Sequence, residues 1–271
     1  MENTTIAFIG GGNMARALIG GLLQAGHPAS SIRVSDPGEK ARQAAAADFG
    51  VGVTASNAQA VAGADVVVLA VKPQVMASVL TDLSAQLDTG ALVISVAAGI
   101  TLAGLETGLG PDIAIVRAMP NTPALYGAGM TGIVANPAVE RSGRAMAEEI
   151  LAATGQILWL EDEALMDVVT AVSGSGPAYF FTLAEQLALA GERAGLAPAA
   201  AAQLARQTAF GAGLMLVESG LSAGELRMRV TSPGGTTQAA LESFDKDGFD
   251  GLIERAVNAA IRRGHELGKI K

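Results

Sequence analysis

Between residue 5 and about residue 160, short runs of β-branched and aliphatic residues alternate with Ala-rich segments of helical spacing. The runs are TIAFI, SIRVSD, VGVT, ADVVVLAV, ALVISVA, AIVRAMP, GMTGIVA and GQILWL. Several are apolar at consecutive positions rather than at every second one. Such a strand has to be covered on both faces, which a sheet with one wet side does not do. Strand and helix in alternation therefore predict a doubly wound, parallel α/β sheet. Half of the residues are hydrophobic but only 4% are aromatic, so the core has to be built from Ala, Val, Leu and Ile.

After about Glu161 the strand signal stops. EALMDVVTAVSGSGPAYFFTLAEQLALAGERAGL, APAAAAQLARQTAFGAGLMLVESG, SAGELRMRV and GFDGLIERAVNAAIRRGHELG carry helical spacing. A second, all-α domain is expected, with the boundary near residue 162 and no flexible linker: 1–162 and 163–271. A chain of 271 residues is long enough for two such cores.

Composition narrows the function. The net charge of −8 argues against a nucleic-acid or anionic-membrane partner, so an anionic ligand has to be held locally by backbone N–H groups or a few placed cations. The absence of Cys removes disulfides, thiolate catalysis and Cys-based metal sites. GALVISVAAGITLAGL is short and broken by Gly, Ser and Thr, which predicts no membrane span. The start, TTIAFIG, lacks a basic region followed by an apolar one, so no signal peptide is expected and a cytoplasmic location follows.

At the first strand–helix junction, IAFIGGGNMARALIGG places Gly10, Gly12 and Ala15 in the pattern G-x-G-x-x-A. Gly10 suits the tight turn, Gly12 a close approach of backbone to a pyrophosphate, and Ala15 close packing of the helix, whose N-terminal N–H groups face the phosphates. A dinucleotide is the expected ligand. At the end of the second strand, Asp36 suits the ribose 2′-OH of NAD, whereas Ser35 and Lys40, with Arg42 nearby, suit a 2′-phosphate. A third reading has Asp36 simply opening a turn before Pro37. Lys72 and Pro73 close a buried strand at the carboxyl end, where a cofactor lies, and Lys72 either reaches it or merely leaves the sheet. SVAAGIT, from Ser95 to Thr101, is a strand end of small residues suited to nicotinamide. Asn121 either bonds the carboxamide or anchors the Pro-bracketed turn of MPNTP.

His27 and His265 are the only histidines, and both read as surface or structural residues. No metal cluster, P-loop or Ser/His/Asp arrangement is apparent. An oxidoreductase without a His–Asp pair suits reduction of a C=N bond, because an iminium already carries its proton. In the helical half, VSGSGPAYFF is a small-residue turn entering a helix near Gly176 and Pro177, suited to packing or to a ligand. VTSPGGTTQAAL breaks a helix at Pro233, turns at Gly234 and Gly235, and restarts at Thr236 and Thr237. Two readings stand level there: an anion nest of free N–H groups apt for a carboxylate, or a plain connection with an N-cap Thr.

Taken together, IGGGNMA, AVKP, VISVAAGI, MPNTP, SGSGPAY and above all VTSPGGTT resemble the Δ1-pyrroline-5-carboxylate reductases, in order and over nearly the whole chain. The resemblance implies a Rossmann-like N-terminal domain and an all-α C-terminal domain that builds an interlocked homodimer, often assembled further. It implies NAD(P)H-dependent reduction of 1-pyrroline-5-carboxylate to L-proline, with NADPH expected and NADH as the alternative. Cofactor contacts carry over to Gly10, Gly12, Asn13, Met14 and Ala15, to Asn57, and to Ala70, Val71, Lys72 and Pro73. Ala97, Ala98 and Gly99 fall beside nicotinamide. Substrate contacts carry over to Glu163, Thr236 and Thr237, with Thr237 on the imine nitrogen and the N–H groups of the Ser232–Gly234–Gly235 loop on the carboxylate. A charge near a helix N-terminus is the plainer role for Glu163. Asp36 stands where many members carry a small neutral or basic residue, and Arg229 where some carry an uncharged polar one.

Three other functions compete with this one. A β-hydroxyacid dehydrogenase needs a catalytic Lys where SGSGPAYFF puts Phe180. A non-catalytic NADP-binding sensor has no use for a carboxylate nest. A reductase of another cyclic imino acid differs only in pocket shape.

Overall fold

The computed structural model describes residues 4–269. It contains two compact units, residues 1–174 with 260–271, and residues 175–259. The first holds β1 (Ile6–Ile9), α1 (Asn13–Gln24), β2 (Ile32–Ser35), α2 (Glu39–Phe49), β3 (Gly52–Thr54), α3 (Asn57–Val61), β4 (Val66–Leu69), α4 (Met76–Leu83), β5 (Leu92–Ser95), α5 (Leu102–Leu109), β6 (Ala114–Met119), β7 (Gly129–Ala135), α6 (Arg141–Ala152), β8 (Gly155–Trp159) and the one-turn α7 (Met166–Val169). Each apolar run of the sequence supplies one strand.

The sheet order is β3-β2-β1-β4-β5-β6-β7-β8. The chain reverses its direction of travel across the sheet between β1 and β4, which makes their carboxyl ends the ligand-binding crevice of a Rossmann-like fold. Pleating explains the continuous apolar runs. Ile6 and Phe8 of β1 face a core shared with Leu18, Ile19 and Leu22 of α1 and Ile150 and Leu151 of α6. Ala7 and Ile9 face the opposite core, with Leu80 and Leu83 of α4 and Leu105 of α5. Full burial of one such aliphatic or Phe side chain contributes about 1.5–3 kcal/mol.

The sheet departs from the all-parallel expectation at one place: β7 runs antiparallel to β6, with Val116 opposite Ala135 and Met119 opposite Gly132. Residues 120–128 are the whole connection, too short for a helical crossover, so β7 returns beside β6.

His27, just after α1, is buried at 7% exposure. Burial pushes its imidazole below the ordinary 6.5, with the Thr4 backbone and Glu149 pulling the other way. A His whose folded pKa is lowered leaves the unfolded chain binding more protons just below pH 6.5, so stability falls as pH drops from there toward the lowered value. Thermal midpoints of wild type between pH 7 and 5 are expected to slope downward, and His27→Gln to flatten that slope. Identical slopes in the two proteins would rule the account out.

The second unit is helical throughout. It contains α8 (Gly176–Arg193), α9 (Pro198–Glu218), α10 (Ala223–Arg229), α11 (Thr236–Lys246) and the start of α12 (Phe249–Lys269). Residues 194–197 join α8 to α9, and Pro at the start of α9 meets the demand for a first helical residue without a useful N–H. Ala201 and Ala205 of α9 are buried. Much of the remaining surface is apolar and uncovered: Phe180 is 63%, Phe181 68%, Phe210 64% and Val217 76% exposed.

Candidate active site

The crevice begins at the turn between β1 and α1. Gly10 has φ +98°, and a Cβ there would stand 2.7 Å from the Ala70 carbonyl oxygen at the end of β4. Both the backbone conformation and the neighbour exclude a side chain. Gly12, by contrast, is the N-cap of α1 without a side-chain cap, and a Cβ there meets nothing within 4 Å. Its missing side chain therefore leaves room outside the protein, in front of uncapped N–H groups. That is the cradle a pyrophosphate needs, and the residues present fit a dinucleotide. Asn13 is exposed, Met14 half-buried and Ala15 fully buried beneath the turn.

The rim is pinned by side chains. Asp36 accepts the Gly11 N–H through Oδ2 at 2.9 Å and the Gly38 N–H through Oδ1 at 2.7 Å. It thus performs the turn-opening role and in addition ties the β2 end to the glycine turn. Arg42 caps the Asp36 and Pro37 carbonyls at 2.7 and 2.9 Å. Ser35 is buried, and its hydroxyl donates to Asn57 Oδ1 at 2.7 Å. Asn57 Nδ2 in turn donates to Asp82 at 2.9 Å, a partner not evident in the sequence. Lys72 is exposed and precedes the one-turn helix Pro73–Val75, while Ala70 and Val71 are half-buried.

Ala97 is buried and Ala98 exposed at the end of β5. Gly99 has φ +75° and lies against the end of α12, 3.5 Å from Leu267 atoms by its would-be Cβ. Asn121 is 8% exposed, accepts the Met130 N–H at 2.9 Å and donates to the Ser173 carbonyl at 3.0 Å, the turn-anchoring geometry. Gly174 of SGSGPAY packs on Met119, whose Cε would stand 2.7 Å from an added Cβ.

Glu163 opens a one-turn helix, Glu163–Leu165, which Asp162 caps through Ala164 N–H. Its own carboxylate goes elsewhere: Oε1 accepts the Leu102 N–H at 2.8 Å and Arg117 Nη1 at 2.6 Å. The charge does stand at a helix N-terminus, but that of α5. Arg117, in the middle of β6, escaped the reading of the sequence. A lone cation inside the apolar run AIVRAMP was the available signal. His265 is exposed, with Nδ1 3.7 Å from Asp167. Among the described residues, no group of three or more His, Cys, Asp or Glu could hold a metal ion, and no helix is long and apolar enough to cross a membrane.

In the helical unit, residues 230–235 separate α10 from α11. Gly234 has φ +70°, its N–H donates to Gln238 Oε1 at 2.8 Å, and Gly235 N–H closes the turn on the Ser232 carbonyl at 2.9 Å. The N-cap of α11 is Gly235, with no side-chain cap, so the N-cap Thr reading is excluded. The Gly234 and Gly235 N–H groups serve the loop itself, and the open donors are those of the first turn, beginning with Thr236 and Thr237. Thr236 is exposed and Thr237 half-buried.

A family model described as pyrroline-5-carboxylate reductase dimerisation matches residues 163–267, and one described as NADP oxidoreductase, coenzyme F420-dependent, matches residues 5–99. The pyrroline-5-carboxylate reductase of Pseudomonas aeruginosa is 51% identical over 99% of this chain and 98% of its own length. The chain belongs to the pyrroline-5-carboxylate reductase family.

Other members are similar in sequence and structure. The Haemophilus influenzae reductase is 44% identical over 98% of both chains. The solved pyrroline-5-carboxylate reductase from Coxiella burnetii superimposes with a TM-score of 0.94 at 40% identity, covering 98% of this chain and 99% of that one. The Plasmodium falciparum pyrroline carboxylate reductase, solved with NADP bound, gives 0.87 at 31% identity, covering 99% and 100%. The 3-hydroxyisobutyrate dehydrogenase of Mycobacterium tuberculosis, at 22% identity and a TM-score of 0.53, shares the fold alone.

Proposed function

We propose that this chain reduces the C=N bond of 1-pyrroline-5-carboxylate to give L-proline, the last step of proline synthesis, with NADPH as donor and NADH as the alternative. The observation that carries the reading is the first turn of α11, which offers uncapped N–H groups and the Thr237 hydroxyl in the loop most specific to the family. NADPH, when bound, supplies the hydride. Gly10, Gly12, Asn13, Met14 and Ala15 hold its pyrophosphate, and Ser35, Asp36 and Asn57 the adenosine ribose side. Ala70, Val71, Lys72, Pro73, Ala97, Ala98, Gly99 and Asn121 line the path to nicotinamide.

On the substrate side, the first-turn donors of α11, with the Ser232–Gly235 loop behind them, receive the carboxylate. Thr237 hydrogen-bonds the ring nitrogen, and Glu163 offers a carboxylate oxygen to its positive charge. As the ring carbon takes the hydride, the C=N pair becomes the nitrogen lone pair and the N–H proton stays where it was. No side-chain base is required, which suits a fold whose histidines lie elsewhere.

Residues 1–162 serve in this reading as the dinucleotide domain and 163–271 as the substrate and dimerisation domain. A second copy of the chain covers Phe180, Phe181, Phe210 and Val217, since apolar surface of that extent is characteristic of an interface. A cytoplasmic location belongs to the same reading, and the net charge of −8 argues against a nucleic-acid partner.

The test is spectrophotometric: purified protein with the pyrroline acid, following NADPH and NADH separately. Oxidation of neither would defeat the proposal. Asp36 offers a finer check. A 2′-phosphate beside its carboxylate meets like charge, so Asp36→Ser is expected to raise the NADPH-to-NADH ratio of kcat/KM by about tenfold, equivalent to some 1.4 kcal/mol. A constant ratio would mean that this carboxylate serves the turn alone.

A further inference from the structure

Arg117 is the one charged strand residue that is buried among the described residues. It is 5% exposed, in register with Ser95 of β5, on the strand face that otherwise packs aliphatic residues against α4 and α5. A buried guanidinium of this kind is tolerated only when paired, and a buried ion pair contributes less to stability than apolar packing of the same volume. Tying residue 163 to the sheet did not require a charge. The pair is also one-sided: Arg117 Nη1 and Leu102 N–H both land on Glu163 Oε1, at 2.6 and 2.8 Å, and no donor among the described residues is recorded on Oε2. Next to it, Ser95 Oγ is fully buried and unpartnered among the described residues, so the polar layer at this carboxyl end of the sheet is not packed for stability alone.

We propose that Arg117 is a positioning residue: with the N-terminus of α5 it clamps one oxygen of Glu163 so that the other is presented to the cationic ring nitrogen of the substrate. The proposal rests on the assignment of Glu163 as a substrate contact. A carboxylate on a flexible side chain has two χ angles and a rotating head to immobilise before it can face a charge. Two donors on one oxygen, from a strand and from a helix terminus, remove that freedom in advance. Arg117 itself touches neither substrate nor cofactor in this account. The asymmetry matters because a fork that engaged both oxygens would stabilise the pair more and leave nothing to offer a ligand.

Four variants decide it: Arg117→Met, Arg117→Lys, Glu163→Gln and the double Arg117→Met/Glu163→Gln. Each is assayed for kcat and KM of the pyrroline acid and of NADPH, with thermal midpoints alongside. Glu163→Gln and Arg117→Met are each expected to lower kcat/KM for the pyrroline acid by about 10–100-fold, the scale of a misplaced contact of about 1 Å. KM for NADPH should stay within about twofold, a split that general unfolding does not produce. Arg117→Lys, which keeps a cation and one donor, should recover part of the loss and carries the test if the Met variant does not fold. The double variant should be no worse than Glu163→Gln alone, because clamp and clamped group act as one unit.

Wild-type kcat/KM in both Arg117 variants, with Glu163→Gln impaired, overturns the clamp and leaves Glu163 as a substrate contact. So do additive losses in the double variant. Wild-type kcat/KM in Glu163→Gln overturns the underlying assignment as well.

Discussion

Gly10→Ala is expected to weaken NADPH binding by at least about 30-fold and to destabilise the first unit. Holding an alanine at φ +98° costs about 1–3 kcal/mol. Its Cβ, 2.7 Å from the Ala70 carbonyl oxygen, forces the β4 end and the glycine turn apart, an overpacking worth about another 1–3 kcal/mol. If the chain relieves the crowding by moving the turn, even about 2 kcal/mol of lost binding geometry amounts to that 30-fold. Fluorescence titration of NADPH gives the affinity, and the thermal midpoint the stability. Gly12→Ala is the informative companion, because its Cβ meets no protein atom within 4 Å. There the loss of affinity should come with stability changed by no more than about 1 kcal/mol, the cost of an N-cap change. Unaltered affinity in both variants would remove the dinucleotide from this turn.

Thr237→Ala is expected to lower turnover of the pyrroline acid by about 10–100-fold, since one placed hydrogen-bond partner in a dry site is worth a few kcal/mol. The substitution is well isolated. Thr237 lies in the first turn of α11, its backbone N–H survives, and alanine is the better helix former. Stability should hold or rise while kcat/KM falls, and Thr237→Ser should restore most of the activity. A Thr237→Ala protein with full kcat/KM would leave the hydroxyl without a role in the reaction.

The two residues illustrate how unevenly the site is written into the sequence. Gly10 and Thr237 each sit in a motif a few residues long, where the demand comes from local backbone geometry. A helix start, a positive φ or a Pro–Gly–Gly break is encoded within a turn of chain, so the cradle and the α11 loop were legible as candidates before any contact was known. The eight strands were legible for a related reason: burial on both faces shows as consecutive apolar residues. The antiparallel direction of β7 is not legible from apolar periodicity, which carries no sign of strand polarity, although its cause, the short span 120–128, is in the sequence.

Asp36 and Glu163 were legible only as charges of interest. Three readings are open for Asp36 in the sequence, and the structure adds that its carboxylate accepts the Gly11 and Gly38 N–H groups, one neighbour distant in the chain and one nearby. Glu163 reaches residues 46 and 61 positions away. Arg117 had no motif to announce it, and Asp82 became relevant only through Asn57.

By itself, then, the sequence determined which segments are strands and helices, where a glycine turn joins the first strand to the first helix, and where a helix breaks and restarts. These follow from periodicity and from the steric limits of Gly and Pro, which act over a few residues. Only the tertiary structure decided that Asp36 braces the glycine turn, that His27 is buried, that the N-cap of α11 is Gly235, and that Arg117 and the α5 terminus share one oxygen of Glu163. Those outcomes depend on strand register and helix docking, and both are settled by packing the whole core rather than by any stretch of it.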